Sequence, residues 1–282
     1  LKNYKRFDSS TLFEFELRKK ILVNNIFGVD LDDRAIEIAK LNLLVKALEG
    51  AAHFDIAGRK ILPNIKLNIR CGNSLVSGAV AAKDMTLFWN EYSTDLDELH
   101  QKHNEFSMSQ DDDKQESIYQ QILVIEETLN RKLNVNLTGF SDLDQVKPFN
   151  YEVAFPTVLK SGGFHCVIGN PPYIDSEAMS KDQPETRKFC SDNMEFTKGN
   201  WDIYIAFFEK AKKLTLQNGS FGYITPDKWI SKPFGEQFRI NTCTNIVSLM
   251  RAGRDVFKDA KVDSVVSIYQ NKKISDITIL EA

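Results

Sequence analysis

What the sequence lacks narrows it first. No run of eighteen apolar residues occurs in its 282 residues, which excludes an apolar helix long enough to cross a bilayer. The four cysteines, Cys71, Cys166, Cys190 and Cys243, make no CxxC pair, so neither a disulfide framework nor a zinc ribbon is encoded. They read as reduced cytosolic thiols, three of them in the core. Histidine is scarce, and His100 and His103 stand at i, i+3 without a third ligand nearby. They read as surface residues rather than a metal pair. Leu1 is not an initiator Met, and residues 1–6 show no charged-then-apolar signal segment. The chain is therefore expected to be a piece of a longer bacterial, cytoplasmic polypeptide.

A large charge of one sign is also missing. Lys and Arg number 36 against 39 Asp and Glu, a net charge of −3, which speaks against a strong polyanion partner. The distribution softens that objection. Residues 84–130 carry twelve acids, from Asp84 to Glu127, against only Lys102 and Lys114, and this net −10 leaves about +7 on the remainder. A mildly basic body can meet phosphates, but it is no strong duplex-binding surface by itself. Any sequence-specific grip on nucleic acid is expected mostly outside this chain.

What is present reads as a globule: 42% hydrophobic and 27% charged residues suffice for a packed core. Residues 11–24 have helical apolar spacing at Leu12, Phe15 and Leu22. A short strand over 26–30 follows, then a helix capped by Asp32 or Asp33 with Ile36, Ala39, Leu43 and Ala47 on one face. Residues 65–71 form a second strand, ending at Gly72-Asn73-Ser74. The composition then turns acidic and rich in Gln, Glu and Leu, which marks residues 83–140 as a helical insertion between two parts of one domain, 1–82 and 141–282. Beyond it, His165-Cys166-Val167-Ile168 is a buried-type strand, and 201–216 an amphipathic helix with Ile205, Phe208, Ala211 and Leu214 or Thr215 inward. A strand at 222–225, a helix around 231–241 and strands at 246–250 and 262–269 complete the pattern. Strands alternating with helices imply an α/β fold, a mostly parallel sheet flanked by helices.

In such sheets ligands bind beyond the carboxyl ends of the strands, and three strand ends here carry suitable residues. Asp30, in the segment GVDLD with Leu31 beside it, could accept both hydroxyls of a ribose, although an acid after a strand is also a common helix cap. Asn73, in CGNSL with Ser74, could read an adenine edge through paired donor and acceptor bonds, although Gly-Asn is also a common turn. The third end, Asn170-Pro171-Pro172-Tyr173, is far more specific, since chance supplies that tetrapeptide to about one chain per thousand of this length. A rigid turn would explain the prolines but not their flanks. An exocyclic amine on a base is a poor nucleophile because its lone pair is conjugated into the ring. The Asn170 side-chain oxygen and the Pro171 carbonyl can each accept one of its N–H groups, favouring a tetrahedral nitrogen whose lone pair faces a methyl donor. Pro171 and Pro172 stiffen the backbone that presents that carbonyl, and Tyr173 offers a face on which an extruded base can stack.

The segments 162–174 (GGFHCVIGNPPYI), 199–214 (GNWDIYIAFFEKAKKL) and 219–230 (GSFGYITPDKWI) together resemble the gamma class of DNA adenine-N6 methyltransferases, as found in type IIG restriction–modification enzymes. Residues 28–43 and 71–75 are similar to that family's cofactor motifs, and 255–269 to a later motif with a base-stacking Phe. The resemblance covers nearly everything except the acidic insertion. It implies a Rossmann-like S-adenosylmethionine-dependent methyltransferase fold with S-adenosyl-L-methionine as cofactor and double-stranded DNA as partner. It assigns Asp30, Leu31, Asn73, Ser74 and Phe207 to the cofactor, Asn170, Pro171, Pro172 and Tyr173 to catalysis, and Tyr173 with Phe257 to a sandwich around a flipped adenine. Many relatives have Asp where this chain has Asn73, and Phe207 reads equally well as helix core.

One departure from the family pattern outweighs these. The strand and Gly-rich turn of the D-P-A-C-G-S-G kind that opens the cofactor fold has no counterpart; Gly162-Gly163 stands too late in the chain. In that fold the strand would lie centrally, between those ending at Asp30 and Ile168. The chain is therefore expected to bind cofactor poorly and to act weakly or not at all without the preceding Gly-rich and nuclease segments and a following target-recognition segment. Pro226-Asp227 is followed by no acid-x-Lys at strand spacing, and Glu236-Gln237-Phe238 does not supply it, so no nuclease site is read here. Methyltransferases acting on protein glutamine or RNA adenine face the same lone-pair problem and remain alternatives, as does a non-catalytic fragment.

Overall fold

The computed structural model describes residues 11–48, 63–81, 85–109, 111–253, 263–272 and 278–281. Its elements run α1 (Thr11–Asn25), β1 (Gly28–Asp30), α2 (Asp33–Leu48), β2 (Ile69–Cys71), α3 (Gly78–Ala81), α4 (Met85–Glu91), α5 (Ser93–Met108) and α6 (Asp112–Asn134). Then come α7 (Leu143–Val146), α8 (Tyr151–Ala154), α9 (Pro156–Lys160), β3 (Phe164–Gly169), α10 (Ser176–Asp182), α11 (Pro184–Asn193) and α12 (Tyr204–Leu214). The series ends with β4 (Thr215–Pro226), α13 (Lys228–Ser231), α14 (Glu236–Thr242), β5 (Ile246–Gly253), β6 (Ser264–Gln270) and β7 (Thr278–Glu281). The chain divides into two compact units, Leu1–Asn73 with Thr94–Thr128, and Ser74–Ser93 with Leu129–Ala282.

In the first unit β1 and β2 pair in parallel, Gly28 opposite Ile69 and Asp30 opposite Cys71. The strand expected over 65–71 is cut short, for a reason seated in Asn68. Its backbone N–H donates to the Ile65 carbonyl (3.0 Å), which turns the chain before the strand begins. Its side-chain amide donates to the Val23 and Ile26 carbonyls (2.7 and 3.0 Å), satisfying acceptors that the end of α1 leaves over. Asp32 caps α2 by accepting from the Arg34 N–H at 2.8 Å. Ile36 and Ala47 of α2 are buried with Leu22, Ile65 and Ile69, and Ala39 and Leu43 pack against them. The inward face of α2 is thus the one its spacing indicates.

α5 and α6 belong to this unit up to Thr128. Leu96, Leu99, Phe106, Ile118 and Ile122 are buried, and Gln115 closes the end of α5 by donating to the Phe106 and Ser109 carbonyls (3.0 and 2.7 Å). Two ion pairs run from this hairpin to the β2 segment. Lys66 meets Glu116 at 2.8 Å on the surface, which contributes little. Arg70 grips Glu126 with both guanidinium nitrogens, Nη1 at 3.2 Å from Oε1, and the Glu126 side chain is only 4% exposed. His103 approaches the same carboxylate at 3.6 Å, too far for a good hydrogen bond but close enough to act electrostatically. Burial alone would push the Glu126 carboxyl up; His103 and Arg70 overcome it and hold it below its ordinary value. His100 faces Asn104 instead, at 3.2 Å.

The second unit holds a five-stranded sheet in the order β3-β4-β6-β5-β7. β3 pairs with β4, and β5 with β7, in parallel; β6 runs antiparallel to both β4 and β5. With β1–β2 the described strands are mostly parallel, in an α/β arrangement. β7, which lies beyond the strands expected from the sequence, extends the edge past β5. The helix expected around 231–241 is instead two short helices, because Pro233 cannot donate to a continuing ladder and opens a 3-10 turn at 233–235. A Cβ at Gly235 would stand 2.1 Å from the Trp229 carbonyl oxygen.

α12 supplies the core as expected, with Ile205, Phe208, Ala211 and Leu214 all buried. Phe208 of α12 stacks on Phe238 of α14 at 4.4 Å between centroids, and both rings meet Tyr269 of β6 edge-on at 5.6 and 5.7 Å, which holds α12 and α14 onto the sheet. Burial of each such ring stabilises by roughly 2–3 kcal/mol. β3 departs from expectation. It is a terminal strand, and His165, Cys166 and Ile168 are exposed, Ile168 at 80%. Its apolar run reflects a strand built for cover on both faces that the described residues do not supply. Of the cysteines Cys190 alone is buried, while Cys166 and Cys243 are exposed and Cys71 is intermediate, so the expected core placement of three thiols is corrected to one. Among the described residues no helix is long and apolar enough to cross a membrane.

Candidate active site

The residues singled out from the sequence fall into both units. In the first, Asp30 and Leu31 leave the end of β1 beside the end of β2, since the Gly72 N–H donates to the Asp30 carbonyl at 2.8 Å. Asp30 is exposed, its Oδ1 accepts the Asp32 N–H at 2.9 Å, and Leu31 beside it is 50% exposed. Asn73 is half-buried two residues after β2. An outward carboxylate can accept from the hydroxyls of a ribose diol, and an accessible apolar side chain beside it can pack on the face of a purine ring. Ser74 begins the second unit. Its hydroxyl bonds Tyr151, a phenol that burial pushes up to about 12, and the ammonium of buried Lys210 lies 4.7 Å over the Tyr151 ring.

The Asn-Pro-Pro-Tyr tetrapeptide leaves the carboxyl end of β3, as the strand pattern required. Asn170 is exposed, Pro171 buried, Pro172 exposed and Tyr173 half-buried. Gly169 precedes it because a Cβ there would stand 2.8 Å from the Tyr223 ring; the missing side chain lets Tyr223 of β4 pack beneath the strand end. Pro171 is buried while Asn170 is exposed. Burial raises the Tyr173 phenol above its ordinary value, and its hydroxyl interacts with Ser264 at the start of β6. The following residue is pinned too, the Ile203 N–H donating to the Ile174 carbonyl at 3.0 Å. Asp175 then caps α10 through the Ala178 N–H at 2.9 Å.

Phe207 is half-buried on α12 and packs against the core cluster. Phe257 lies outside the described residues. Pro226 ends β4 and Asp227 stands at the N-cap of α13, the turn that the absence of acid-x-Lys implied. Three residues around Tyr173 escaped the sequence reading: Asp202, Tyr204 and Ser264. Asp202 is 5% exposed and its Oδ2 accepts the Tyr204 hydroxyl at 2.9 Å. An Asp just before an amphipathic helix looks like an N-cap. The only available signal was its place among Trp201, Ile203 and Tyr204, where a solvated cap has no reason to sit.

An α/β unit that presents an Asn-Pro-Pro-Tyr turn from a strand end, with Pro171 buried and Asn170 exposed, fits a methylase. Residues 24–257 match the Eco57I restriction-modification methylase family, and the chain belongs to it. It is similar, at 26% identity over 93% of its length, to a Methanocaldococcus jannaschii protein described as a type II restriction enzyme and methyltransferase, RM.MjaORFECS2P, of which the match covers 27%. At 24% identity over 80% of its length it is similar to the type II restriction enzyme and methyltransferase RM.Eco57I of Escherichia coli, of which 16% is covered. The chain thus spans 27% and 16% of the length of these two relatives. Among solved structures it resembles the type IIL restriction-modification enzyme MmeI, with a TM-score of 0.43, 13% identity, and 96% of this chain and 36% of that one covered. A second resemblance, to the ATP-dependent type ISP restriction-modification enzyme LlaBIII, has a TM-score of 0.46 and 12% identity, covering 96% and 16%.

Proposed function

We propose that this chain is the methyl-transferring part of a DNA adenine-N6 methyltransferase within a restriction–modification polypeptide. The observation that carries the reading is the turn at 170–173: it leaves the carboxyl end of β3 with Asn170 exposed, Pro171 buried and Tyr173 half-buried. The Asn170 side-chain oxygen and the Pro171 carbonyl accept the two N–H groups of the target amine, orienting it and drawing its lone pair out of conjugation. Tyr173 stacks on the base after it leaves the duplex, with Phe257 closing the other face. Asp30 holds the ribose of S-adenosylmethionine and Asn73 reads its adenine, and Leu31, Ser74 and Phe207 are assigned to the same cofactor. S-adenosylmethionine, when bound, supplies an electrophilic methyl group on its sulfonium.

The test offers labelled S-adenosylmethionine with plasmid DNA, a protein with a methyl-accepting glutamine, and RNA, side by side, to the full-length polypeptide. Label is expected in DNA. Label confined to the protein or the RNA would move the chain to one of those neighbouring classes.

We also propose that cofactor binding needs a Gly-rich strand segment absent from these 282 residues. Support comes from the exposure of β3 on both faces and, in the first unit, from Ile38, Leu41 and Val45 of α2, which are 60%, 61% and 54% exposed. Exposed apolar surface of that kind awaits cover. Calorimetric titration of the 282-residue chain with S-adenosylmethionine is expected to show weak binding or none. Tight binding that Asp30→Ala abolishes would overturn this second proposal.

A further inference from the structure

Beyond the carboxyl ends of β3 and β4, one buried carboxylate sits among three chain segments. Asp202 lies in the turn before α12, 5% exposed. Its Oδ2 accepts the Tyr204 hydroxyl at 2.9 Å, and its backbone carbonyl accepts the Ile205 N–H at 3.0 Å, closing the first turn of the helix. The backbone N–H of Ser176, which opens α10, acts on the same carboxylate, and Lys228, which opens α13 after β4, supplies a nearby positive charge. The residue next to Asp202 bonds the same neighbouring segment through its main chain, Ile203 N–H to the Ile174 carbonyl. Tyr204 is 1% exposed, and Asp202, Asp227 and Tyr173 are among the groups that act on its phenol.

Burying a carboxylate is costly unless its oxygens are filled, so a residue that served only to start α12 would be better placed in solvent. These partners indicate another role. A carboxylate has two oxygens and can accept from both sides at once, here from α12 on one side and from the segment that follows Tyr173 on the other. We propose that Asp202 is a positioning residue of the methyl-transfer site: with Tyr204 and the Ile203–Ile174 hydrogen bond it clamps residues 174–176 to the start of α12, and so fixes the Tyr173 ring and the backbone of the catalytic turn. This rests on the methyltransferase reading above. Asp202 touches no reacting atom; it acts through Tyr173. A loosened turn would still bind cofactor and DNA but would hold the target amine off line, and a misplacement of about 1 Å can cost about 10²-fold in rate.

The experiment uses the full-length polypeptide, with plasmid DNA and S-adenosylmethionine as substrates. Asp202→Ala is expected to lower kcat by about 10²-fold with KM for both substrates little changed. Asp202→Asn keeps the size, can still accept from Ser176 and can donate to the Tyr204 oxygen, so it is expected to recover most of kcat. A purely structural role would not divide kcat from KM in this way. Should Asp202→Ala fail to fold, Tyr204→Phe, which removes one hydroxyl, carries the test through a fall in kcat with KM for both substrates little changed, read below its own melting temperature. Unchanged kcat in the folded variants, or KM rising in step with a falling kcat, overturns the proposal while leaving the methyltransferase reading intact. A wild-type polypeptide that methylates no DNA overturns both.

Discussion

Asn170→Ala in the full-length polypeptide is expected to lower kcat for DNA methylation by about 10²–10³-fold and to leave the melting temperature almost where it was. Asn170 is exposed at the end of β3, so removing its amide leaves no hole and no buried partner, and surface changes of this sort usually stay within about 0.5 kcal/mol. The chemistry has no such tolerance. On the proposed mechanism one of the two acceptors for the target amine would be lost, and the Pro171 carbonyl alone would not fix the direction of the lone pair. Asn170→Asp is the informative companion. It keeps an acceptor oxygen at the same place but adds a charge, so its rate should fall between those of wild type and Ala. Single-turnover label transfer at saturating cofactor reads the effect directly, and a wild-type rate in Asn170→Ala would remove the turn from the mechanism.

The second large effect concerns the first unit, where Arg70 is expected to be worth far more than a surface cation. Arg70→Met leaves Glu126 charged, 4% exposed and supported only by His103. Breaking a buried pair from one side costs about 3–5 kcal/mol. Replacing both partners, as Arg70→Met with Glu126→Leu, should recover most of that loss, because the uncompensated charge goes too. The pH dependence follows from the direction of the shift. The Glu126 carboxyl is held below its ordinary value in the folded chain. Its contribution is therefore fully present above the unfolded carboxylate range and is lost as pH falls through the lowered folded value. Denaturant unfolding of the wild type and both variants between neutral and acid pH measures this. Equal stability of Arg70→Met and wild type at neutral pH would show the pair to be inert.

How much of this was legible in the sequence depended on how local the cause was. The α12 face was legible, since Ile205, Phe208, Ala211 and Leu214 follow from periodicity alone and all are buried. The turn at 170–173 was legible as a turn because both prolines and their flanks are contiguous and close a strand. Asp32 was legible as a cap for the same reason. What failed was set by distant partners. Nothing near Asn68 reveals that the carbonyls of Val23 and Ile26, more than forty positions earlier, would claim its side chain and shorten β2. The apolar run of β3 signals a strand meant for burial, yet periodicity cannot say whether a neighbour is there, and the strand is exposed. Asp202 was hidden differently. Its short-range pattern fits a helix cap, and only the approach of α10 and α13 shows what the carboxylate gathers. The cysteines failed for the same reason, as Cys166 shares the exposure of β3.

The central claim is that the Asn170 turn serves the exocyclic amine of adenine in DNA, and the most direct measurement is the identity of the methylated base. Plasmid DNA incubated with the full-length polypeptide and labelled S-adenosylmethionine would be digested to nucleosides and resolved by mass and retention. The account predicts label in N6-methyldeoxyadenosine, lost in Asn170→Ala. Label in a methylated cytosine, or DNA that stays unlabelled while another substrate takes the methyl group, would contradict it.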